Sequence, residues 1–250
     1  MRNAEWQCRR RSATDLPLPF RIRHSAFRIG WGAAVRLAPE GWPFILPGWA
    51  LVLLGAWVAR GSPWVWIPEG VLFLIALWLL VFFRDPVRVG PRGEQFVIAP
   101  ADGKIVDVRE VDEPMYLKTK ATRISIFMSV FDVHVNRYPA TGTVELVRYN
   151  KGRFLHAASD KASLENEQAS VGVRAARGPL LVRQIAGLIA RRIVTDDTVG
   201  ARAMQGERLG MIRFGSRVDV FLPAAARPAV RVAVGDRVRA GASVLAEYGS

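Results

Sequence analysis

A Gly-Ser pair, Gly215-Ser216, lies inside an alternating, strand-like run from Arg213 to Pro223 near the C-terminal end of the chain. A serine held after a glycine can attack the preceding carbonyl carbon, pass through an ester and eliminate, which leaves a pyruvoyl group in place of the serine. Such a carbonyl is an electron sink for the decarboxylation of an amine-bearing substrate. Because Gly-Ser pairs are also common in turns, this chemistry needs support from other residues.

Two further side chains could assist the serine. Making a pyruvoyl group requires a base for the hydroxyl, and decarboxylation requires an acid for the carbanion. His134 is the best candidate, since it lies in a patterned strand-to-loop segment and histidine titrates near neutral pH. Asp102 could orient the histidine as carboxylates do in catalytic triads, although Asp-Gly pairs are also common in turns.

A metal site is not predicted. Cys8 is the only cysteine, and the three histidines show no metal-ligand spacing. His156 fits no motif and receives no role.

The composition favours a lipid partner. A net charge of +13 suits nucleic acid and anionic lipid equally well. All eight tryptophans lie between Trp6 and Trp78, among long apolar runs, as in the aromatic belts of membrane proteins. A nucleic-acid-binding module is disfavoured, because the aromatic residues are not interleaved with lysines and arginines.

Two apolar segments, 44–59 and 70–83, predict a helical membrane hairpin within residues 37–92. They would be roughly 24 and 21 Å long, so the hairpin could span the ~30 Å hydrocarbon core with help from flanking residues or insert into one leaflet. Two buried helices of a soluble domain are the alternative, but these segments lack polar faces. Arginines crowd both outer flanks, whereas the connecting loop holds only Arg60, which predicts that both ends lie in the cytoplasm. Residues 1–36 form a basic extension that could be a targeting segment, a basic arm or the product of a misplaced start codon, and we favour the last of these interpretations.

From residue 93 onward, short β-branched runs are broken by Gly, Pro and Asp. This texture predicts a mainly β (α+β) fold for residues 93–250, with a barrel-sandwich-like β domain. The predicted strands are 96–99, 104–108, 123–130, 142–149, 217–222 and 230–234. The segment 234–241 is similar to the hairpin of biotinyl- and lipoyl-type barrel-sandwich domains, although such a fold does not assign a function.

Six ordered motifs precede the Gly-Ser pair. They are Ala38-Pro39-Glu40-Gly41-Trp42-Pro43, Phe83-Arg84-Asp85-Pro86, Ala99-Pro100-Ala101-Asp102-Gly103, Asp132-Val133-His134-Val135-Asn136-Arg137, Asp160-Lys161-Ala162-Ser163 and Ile185-Ala186-Gly187-Leu188-Ile189-Ala190-Arg191-Arg192. With Gly215-Ser216, they resemble the short form of the phosphatidylserine decarboxylase proenzyme family. The resemblance runs from about Leu37 to the C-terminus.

The resemblance implies self-cleavage between Gly215 and Ser216 into a β chain, 1–215, and an α chain, 216–250, which remain together as a non-covalent heterodimer. The pyruvoyl cofactor at position 216 would form a Schiff base with phosphatidylserine, and loss of CO₂ would give phosphatidylethanolamine. His134 and Asp102 carry over as the partners of Ser216. The protein would be peripheral to the cell membrane or inserted through its hairpin, with the catalytic domain on the cytoplasmic side. Homo-oligomers stay possible.

The chain departs from the family pattern at two positions. Arg137 stands where long-form enzymes have a second histidine, which leaves open whether His134 alone serves both maturation and decarboxylation. Gln168 follows Asn166-Glu167, where some members have arginine. Two alternative functions also remain at this point: a decarboxylase of an ether-linked serine phospholipid, and a non-enzymatic, membrane-anchored barrel-sandwich adaptor that would need neither Ser216 nor His134.

Overall fold

The computed structural model describes residues 35–61, 63–152, 166–187, 192–196, 198–213 and 216–249. Most of the basic extension, 1–36, lies outside these residues. So do the Asp160-Lys161-Ala162-Ser163 motif, His156 and Gly215.

Two apolar helices, α1 (Trp42–Ala59) and α2 (Trp66–Phe82), pack against each other and are joined through a short 3₁₀ turn at Pro63–Val65. Both predicted segments are therefore helical, and each helix begins a few residues earlier than predicted. Pro43 and Pro68 lie in the first helical turns. Proline is tolerated there because the first N–H groups of a helix have no intrahelical acceptor.

Large apolar side chains cover the outside of this hairpin. They include Leu46, Leu53, Trp57, Trp64, Ile67 and Leu74, all more than half exposed. The segments Pro39–Ala59 and Pro63–Phe82 are long and apolar enough to cross a membrane, with mean hydropathies of 1.6 and 2.3. Only 17% and 22% of them are buried, whereas a core helix of a soluble domain buries its apolar face.

Sixteen strands fall within the described residues. They are β1 (Val35–Leu37), β2 (Arg84–Pro86), β3 (Phe96–Ile98), β4 (Gly103–Glu113), β5 (Thr119–Met128), β6 (Val135–Arg137), β7 (Gly142–Asn150), β8 (Gln168–Ala175), β9 (Gly178–Ala186), β10 (Ile193–Thr195), β11 (Arg202–Ala203), β12 (Arg208–Ile212), β13 (Ser216–Pro223), β14 (Ala229–Val230), β15 (Arg237–Val238) and β16 (Val244–Glu247). Eight of them form one curled antiparallel sheet in the order β11-β7-β8-β9-β13-β5-β4-β15. Smaller sheets have the orders β10-β12-β6, β14-β16-β3 and β1-β2. The mainly β prediction with an N-terminal helical hairpin is confirmed.

Strand β13 lies between β9 and β5, and all eight of its residues are buried. Val218 and Val220 belong to the main apolar core, as alternation along a strand requires. The opposite face carries Arg217 and Asp219, whose Nε and Oδ1 atoms lie 2.6 Å apart. Arg217 Nη2 also donates to Ser125 Oγ of β5 over 2.9 Å. The strand that begins with the candidate serine is thus fixed on both faces.

The base of the hairpin packs on β6 and β12. A second apolar cluster forms this junction and comprises Ala38, Ile45, Leu79, Phe82, Phe83, Val133, Val135 and Met211. Two ion pairs border it: Arg137 with Asp85, and Arg208 Nη2 with Glu40 Oε1 at 2.6 Å. The end of α2 is therefore joined directly to the β domain.

Some strands differ from the predictions. β8, β9 and β12 were not predicted, and the strand predicted at 230–234 is shorter, because β14 ends at Val230. Asp236 Oδ2 accepts a hydrogen bond from the Ala233 amide over 2.8 Å and closes a turn there. The polar side chain thus ends the β-branched run sooner than its apolar pattern indicates.

Candidate active site

Ser216 is the first residue of β13 and lies in the middle of the main sheet. Its backbone is paired with Met128 of β5 on one side and with Ala186 of β9 on the other. The side chain is fully buried, and its hydroxyl donates to Met128 Sδ over 3.4 Å. A thioether sulfur is a weak acceptor, so this contact orients the hydroxyl and is easily given up.

A buried pair of amide side chains, Asn136 and Gln184, lies beside the serine. Gln184 Nε2 donates to Asn136 Oδ1 over 2.8 Å, and Asn136 Nδ2 approaches the same Met128 Sδ atom at 3.7 Å. Gln184 Oε1 is buried and accepts no hydrogen bond within the described part of the chain. An unpaired buried acceptor is costly and calls for a functional explanation. Sequence reasoning assigned neither amide a role, although each is a polar side chain within a strand.

His134 is fully buried immediately before β6. Its imidazole packs against Phe82 of α2, with the ring centroids 4.2 Å apart and the ring planes inclined by 33°, and Nδ1 lies 3.0 Å from the carbonyl oxygen of Asp132. A carbonyl can only accept, so Nδ1 carries the proton in the neutral ring and Nε2 is the basic nitrogen. Burial lowers the pKa of His134 to about 4, and the nearby Arg84 charge contributes a smaller lowering. The imidazole is therefore neutral at pH 7.

The backbone places His134 on the side of Ser216. The Ile212 amide at the end of β12 donates to the carbonyl oxygen of His134 over 3.4 Å, and β13 begins four residues after Ile212. His134 directly precedes β6, and Asn136 is the middle residue of that strand. Asn136 shares the sulfur of Met128 with Ser216. Asn136 thus connects the segment of His134 to the buried sulfur beside Ser216.

Asp102 lies just before β4, and its carboxylate is held by other groups. Oδ2 accepts from Arg88 Nη2 over 2.6 Å, and Oδ1 accepts from the Ala240 amide over 2.7 Å. Among the described residues it makes no hydrogen bond to His134 or Ser216, so a linear triad is not present. Burial raises the pKa of Asp102, and the Arg88 charge opposes this effect.

Asp132 connects the two predicted partners electrostatically. Its charge raises the pKa of both Asp102 and His134, in each case less than burial changes it. The Asp132 carboxylate also accepts from the Ser129 amide over 2.8 Å. Its carbonyl contacts the imidazole, so Asp132 fixes the orientation of His134. Sequence reasoning assigned Asp132 no role, although it lies within the histidine motif.

Arg137 does not take the place of a second catalytic histidine in this geometry. Its guanidinium is bound to the Asp85 carboxylate and donates to the carbonyl oxygens of Gly206 and Pro86, each over 3.0 Å. It therefore ties the residues that follow α2 to the β domain. His134 is the one histidine in the described part of the chain.

The Asn-Glu motif lies next to the serine strand. Asn166 Nδ2 donates to the carbonyl oxygen of Ala186 over 2.7 Å, and the Ala186 amide donates to the carbonyl oxygen of Glu167 over 2.9 Å. Ala186 is the register partner of Ser216. Gln168, at the position of the family departure, begins β8 and pairs with Ile185. These residues support the end of β9 that faces the site.

No group of three or more His, Cys, Asp or Glu side chains among the described residues could hold a metal ion. A cleft lined by Arg92, Thr141, Arg202 and Gln205 lies where Gly142 pairs with Ala175. That is the opposite end of β8 from Gln168. The cleft therefore does not contain the serine or the histidine.

The fold and the site define a mainly β enzyme domain, built around a buried serine at the start of a central strand and a neutral histidine, with an apolar helical hairpin attached. A family model described as phosphatidylserine decarboxylase matches residues 75–246. The chain belongs to the phosphatidylserine decarboxylase family, and the resemblance seen in its motifs is confirmed.

Curated relatives are similar over nearly their whole length. The phosphatidylserine decarboxylase proenzymes of Ralstonia nicotianae and Nitrosomonas europaea are each 48% identical, over 212 and 213 residues. That of Geobacter sulfurreducens is 45% identical over 210 residues. These alignments cover 84–85% of this chain and 95% of each relative. The chain is therefore a decarboxylase of phospholipid biosynthesis, and the non-enzymatic adaptor is excluded.

Proposed function

We propose that the chain cleaves itself between Gly215 and Ser216 and then decarboxylates phosphatidylserine to phosphatidylethanolamine. The observation that carries this proposal is the position of Ser216, which is fully buried and paired on both sides at the start of β13. Strand β12 ends at Ile212 and β13 begins at Ser216, so the bond to be cleaved lies between two strands, directly before β13. Pairing on both sides would hold the new chain end in place after cleavage.

Self-cleavage would begin with attack of Ser216 Oγ on the carbonyl carbon of Gly215, which converts the peptide bond into an ester. Loss of the serine Cα proton with breaking of the Cβ–Oγ bond then releases the Gly215 carboxylate and leaves a dehydroalanine, whose imine tautomer is hydrolysed by water to the pyruvoyl group and ammonia. A pyruvoyl group supplies the electron sink for decarboxylating an amino acid head group. The surroundings fit a new carbonyl group, because Asn136 offers amide hydrogens and Gln184 Oε1 is an unused acceptor that a substrate amine could meet.

His134 is the proposed general base for Ser216 and the proton donor to the carbanion. Its neutral state at pH 7 leaves Nε2 able to accept the hydroxyl proton. The hydrogen bond from Nδ1 to the Asp132 carbonyl fixes the tautomer in which Nε2 is the basic nitrogen. The proton taken from Ser216 would pass to the departing serine nitrogen, and in each later turnover the ring would relay a proton from water to the carbanion.

Asp102 is proposed to assist the reaction indirectly. The nearby charge of Asp132 contributes to raising the pKa of Asp102, and Asp132 contacts His134. Asp102 also holds Arg88 from the segment after the hairpin and the Ala240 amide from the future α chain. It would therefore position the two chains around the site.

The hairpin is proposed to attach the enzyme to the cell membrane, with the β domain on the cytoplasmic side. Its outer surface is apolar, which suits the hydrocarbon core of a bilayer. Because the hairpin base also contacts His134 through Phe82, the site lies next to the bilayer. A phospholipid substrate could then react without leaving the membrane.

The test is intact-mass analysis of the purified protein. Self-cleavage predicts two fragments, of which the smaller covers residues 216–250 and has a blocked N-terminus. Ser216→Ala should remain one full-length chain and release no CO₂ from phosphatidylserine. As a control, Ser243→Ala removes a hydroxyl that accepts from the Arg239 amide. It should cleave normally and lower only the small fragment's mass by one oxygen. Turnover of phosphatidylserine by an uncleaved chain would refute the proposal.

A further inference from the structure

Two arginines meet where the hairpin joins the β domain. Arg213 follows β12 and lies three residues before Ser216. Its guanidinium carbon lies 5.4 Å from the centroid of the Phe44 ring, in the first turn of α1. Its backbone amide donates to the carbonyl oxygen of Arg192 over 3.2 Å. The Arg213 side chain thus contacts an aromatic ring of the hairpin, while its backbone belongs to the segment that leads to the cleavage site.

Neither guanidinium has a hydrogen bond or ion pair among the residues that the structure describes. Neighbouring arginines of the junction do: Arg88 with Asp102, Arg137 with Asp85, and Arg208 with Glu40 and Asp196. The pairing of these arginines leaves Arg192 and Arg213 as available cations.

The two cations also repel each other. Partial burial lowers the pKa of Arg213, and the Arg192 charge lowers it further. Glu40 opposes this effect, but one of its oxygens already accepts from Arg208 over 2.6 Å. Like charges held together without a partner are unfavourable in a partly buried position, and a bound anion would relieve them.

We propose that Arg192 and Arg213 bind the phosphodiester of the lipid head group. This inference rests on the proposed function, because it assigns a binding site to the phosphodiester of phosphatidylserine, which the reaction at position 216 leaves unchanged. Guanidinium groups match phosphate oxygens in charge and geometry. Arg213 and Ser216 are three residues apart, about 11 Å at most between their Cα atoms. A head group could therefore place its amine at position 216 while its phosphate contacts the arginines.

Phe44 places this phosphate site at the level of the first turn of α1. Its ring contacts Arg213 on one side and is stacked with Phe83, with centroids 5.7 Å apart. Phe44 belongs to the apolar hairpin, whereas Arg192 is exposed on the β domain. The arginines thus lie at the boundary between the apolar and polar parts of the molecule, where the phosphate layer of a bilayer would be.

The first experiment measures head-group binding without requiring turnover. The Ser216→Ala precursor and the mature wild type would be titrated calorimetrically with glycerophosphoserine and with free serine. Arg192→Gln and Arg213→Gln should each weaken glycerophosphoserine binding about tenfold or more, as expected for loss of a charge-assisted hydrogen bond. Binding of serine should not change. Arg177→Gln, in the exposed turn between β8 and β9, removes the same charge elsewhere and should bind normally.

The second experiment separates the head group from the bulk membrane surface. With a short-chain, water-soluble phosphatidylserine, Arg192→Gln should raise KM about tenfold and largely retain kcat. Arg192 tests this because it lies outside the cleavage loop, so failed maturation of Arg213→Gln would not remove the readout. As a check on the bulk surface, sedimentation with phosphatidylglycerol vesicles would be compared for Arg192→Gln and Arg177→Gln; a loss confined to these vesicles, with unchanged glycerophosphoserine affinity and KM, would indicate attraction to the membrane surface alone.

Unchanged glycerophosphoserine affinity and KM in Arg192→Gln would overturn the phosphate site. So would a loss of glycerophosphoserine affinity in Arg177→Gln equal to that in Arg192→Gln, or a loss of binding in Arg192→Gln that appears only with vesicles. Absence of head-group binding to both the precursor and the mature wild type would also overturn it. If the chain neither cleaves nor releases CO₂ but still binds glycerophosphoserine through these arginines, the proposed function fails and the phosphate site stands.

Discussion

Ser216 and His134 are both buried, and burial determines what each can do. An exposed histidine would be largely protonated below pH 6, whereas His134 is held neutral by its apolar surroundings. Arg84 disfavours the cationic ring further, while Asp132 favours it. Protonating the buried ring costs about 3 kcal/mol more than protonating a histidine in water. A neutral imidazole suits the proposed role of His134 as the base for Ser216.

The pH dependence of self-cleavage should reflect this lowered pKa. We expect the cleavage rate of freshly synthesised precursor to hold from pH 7 to about 5 and to fall near pH 4, as His134 becomes protonated. Because the unfolded histidine binds its proton near pH 6.5, stability should also decrease as the pH falls from about 6.5 toward 4. Cell-free synthesis followed by pH jumps and gel analysis would measure the rate. A fall centred near pH 6.5 would contradict a buried base.

His134→Gln should slow self-cleavage by roughly 100-fold or more, the usual contribution of a general base. Glutamine keeps a polar side chain of similar size but cannot accept the proton. Phe131→Ala is a suitable control, because Phe131 lies in the same loop and is 68% exposed. It should cleave at the wild-type rate. Wild-type maturation of a folded His134→Gln protein would refute the assigned role.

At the scale of elements, the hairpin contributes a wall of the candidate site in addition to its proposed role as a membrane anchor. Phe82 is the last residue of α2, is fully buried, and contacts His134, Phe83 and Trp78. The apolar wall that lowers the pKa of the histidine therefore comes partly from the helix end. Packing of the hairpin against β6 and β12 would therefore be coupled to the protonation state of His134.

Phe82→Ala should raise the pKa of His134 toward 6.5, because the cavity beside the ring would admit water. It should also destabilise the β domain by about 3 to 5 kcal/mol, as for other buried Phe→Ala changes. The pH at which the cleavage rate falls on the acid side would report the pKa of His134, and the thermal unfolding midpoint would report the loss of stability. Phe73→Ala alters a half-exposed ring of the same helix and should leave this fall near pH 4. Identical pH profiles for both variants would show that the helix end does not tune His134.

At the scale of the whole molecule, local patterns predicted the parts that depend on local sequence. Alternating β-branched residues predicted β4, β5, β7 and β13, and continuous apolar runs predicted both helices. β8 was missed because small and polar residues such as Ala169 and Ser170 fill its buried positions. The motifs predicted Ser216 and His134 as site residues, and both side chains are fully buried.

The partners of these residues could not be predicted, because they come from distant parts of the chain. Asp102 accepts a hydrogen bond from the Ala240 amide, 138 residues away, and His134 packs against Phe82, which was assigned only to the membrane hairpin. Asn136 and Gln184 lie on strands of two different sheets and meet only in the folded molecule. Spacing along the sequence carries no signal for such contacts.

The proposed cleavage divides a molecule whose two chains share their sheets. The α chain would contribute β13 between β9 and β5, β15 beside β4, and β16 beside β3. Arg217 and Asp219 of this chain form a fully buried ion pair that reaches Ser125 of the β chain. The chains should therefore remain associated without the peptide bond, and the buried pair should contribute to that association.

Asp219→Asn should loosen the mature heterodimer, because it leaves the Arg217 charge buried without its counter-charge. Breaking a buried pair in this way costs about 3 to 5 kcal/mol. The urea midpoint for release of the α chain, followed by size-exclusion chromatography at one protein concentration, should fall accordingly. Glu247→Gln is the matched control, since its pair with Arg231 is exposed and should contribute roughly 0 to 1 kcal/mol. Equal midpoints for the two variants would mean that strand pairing and apolar packing hold the chains together without help from the buried charges.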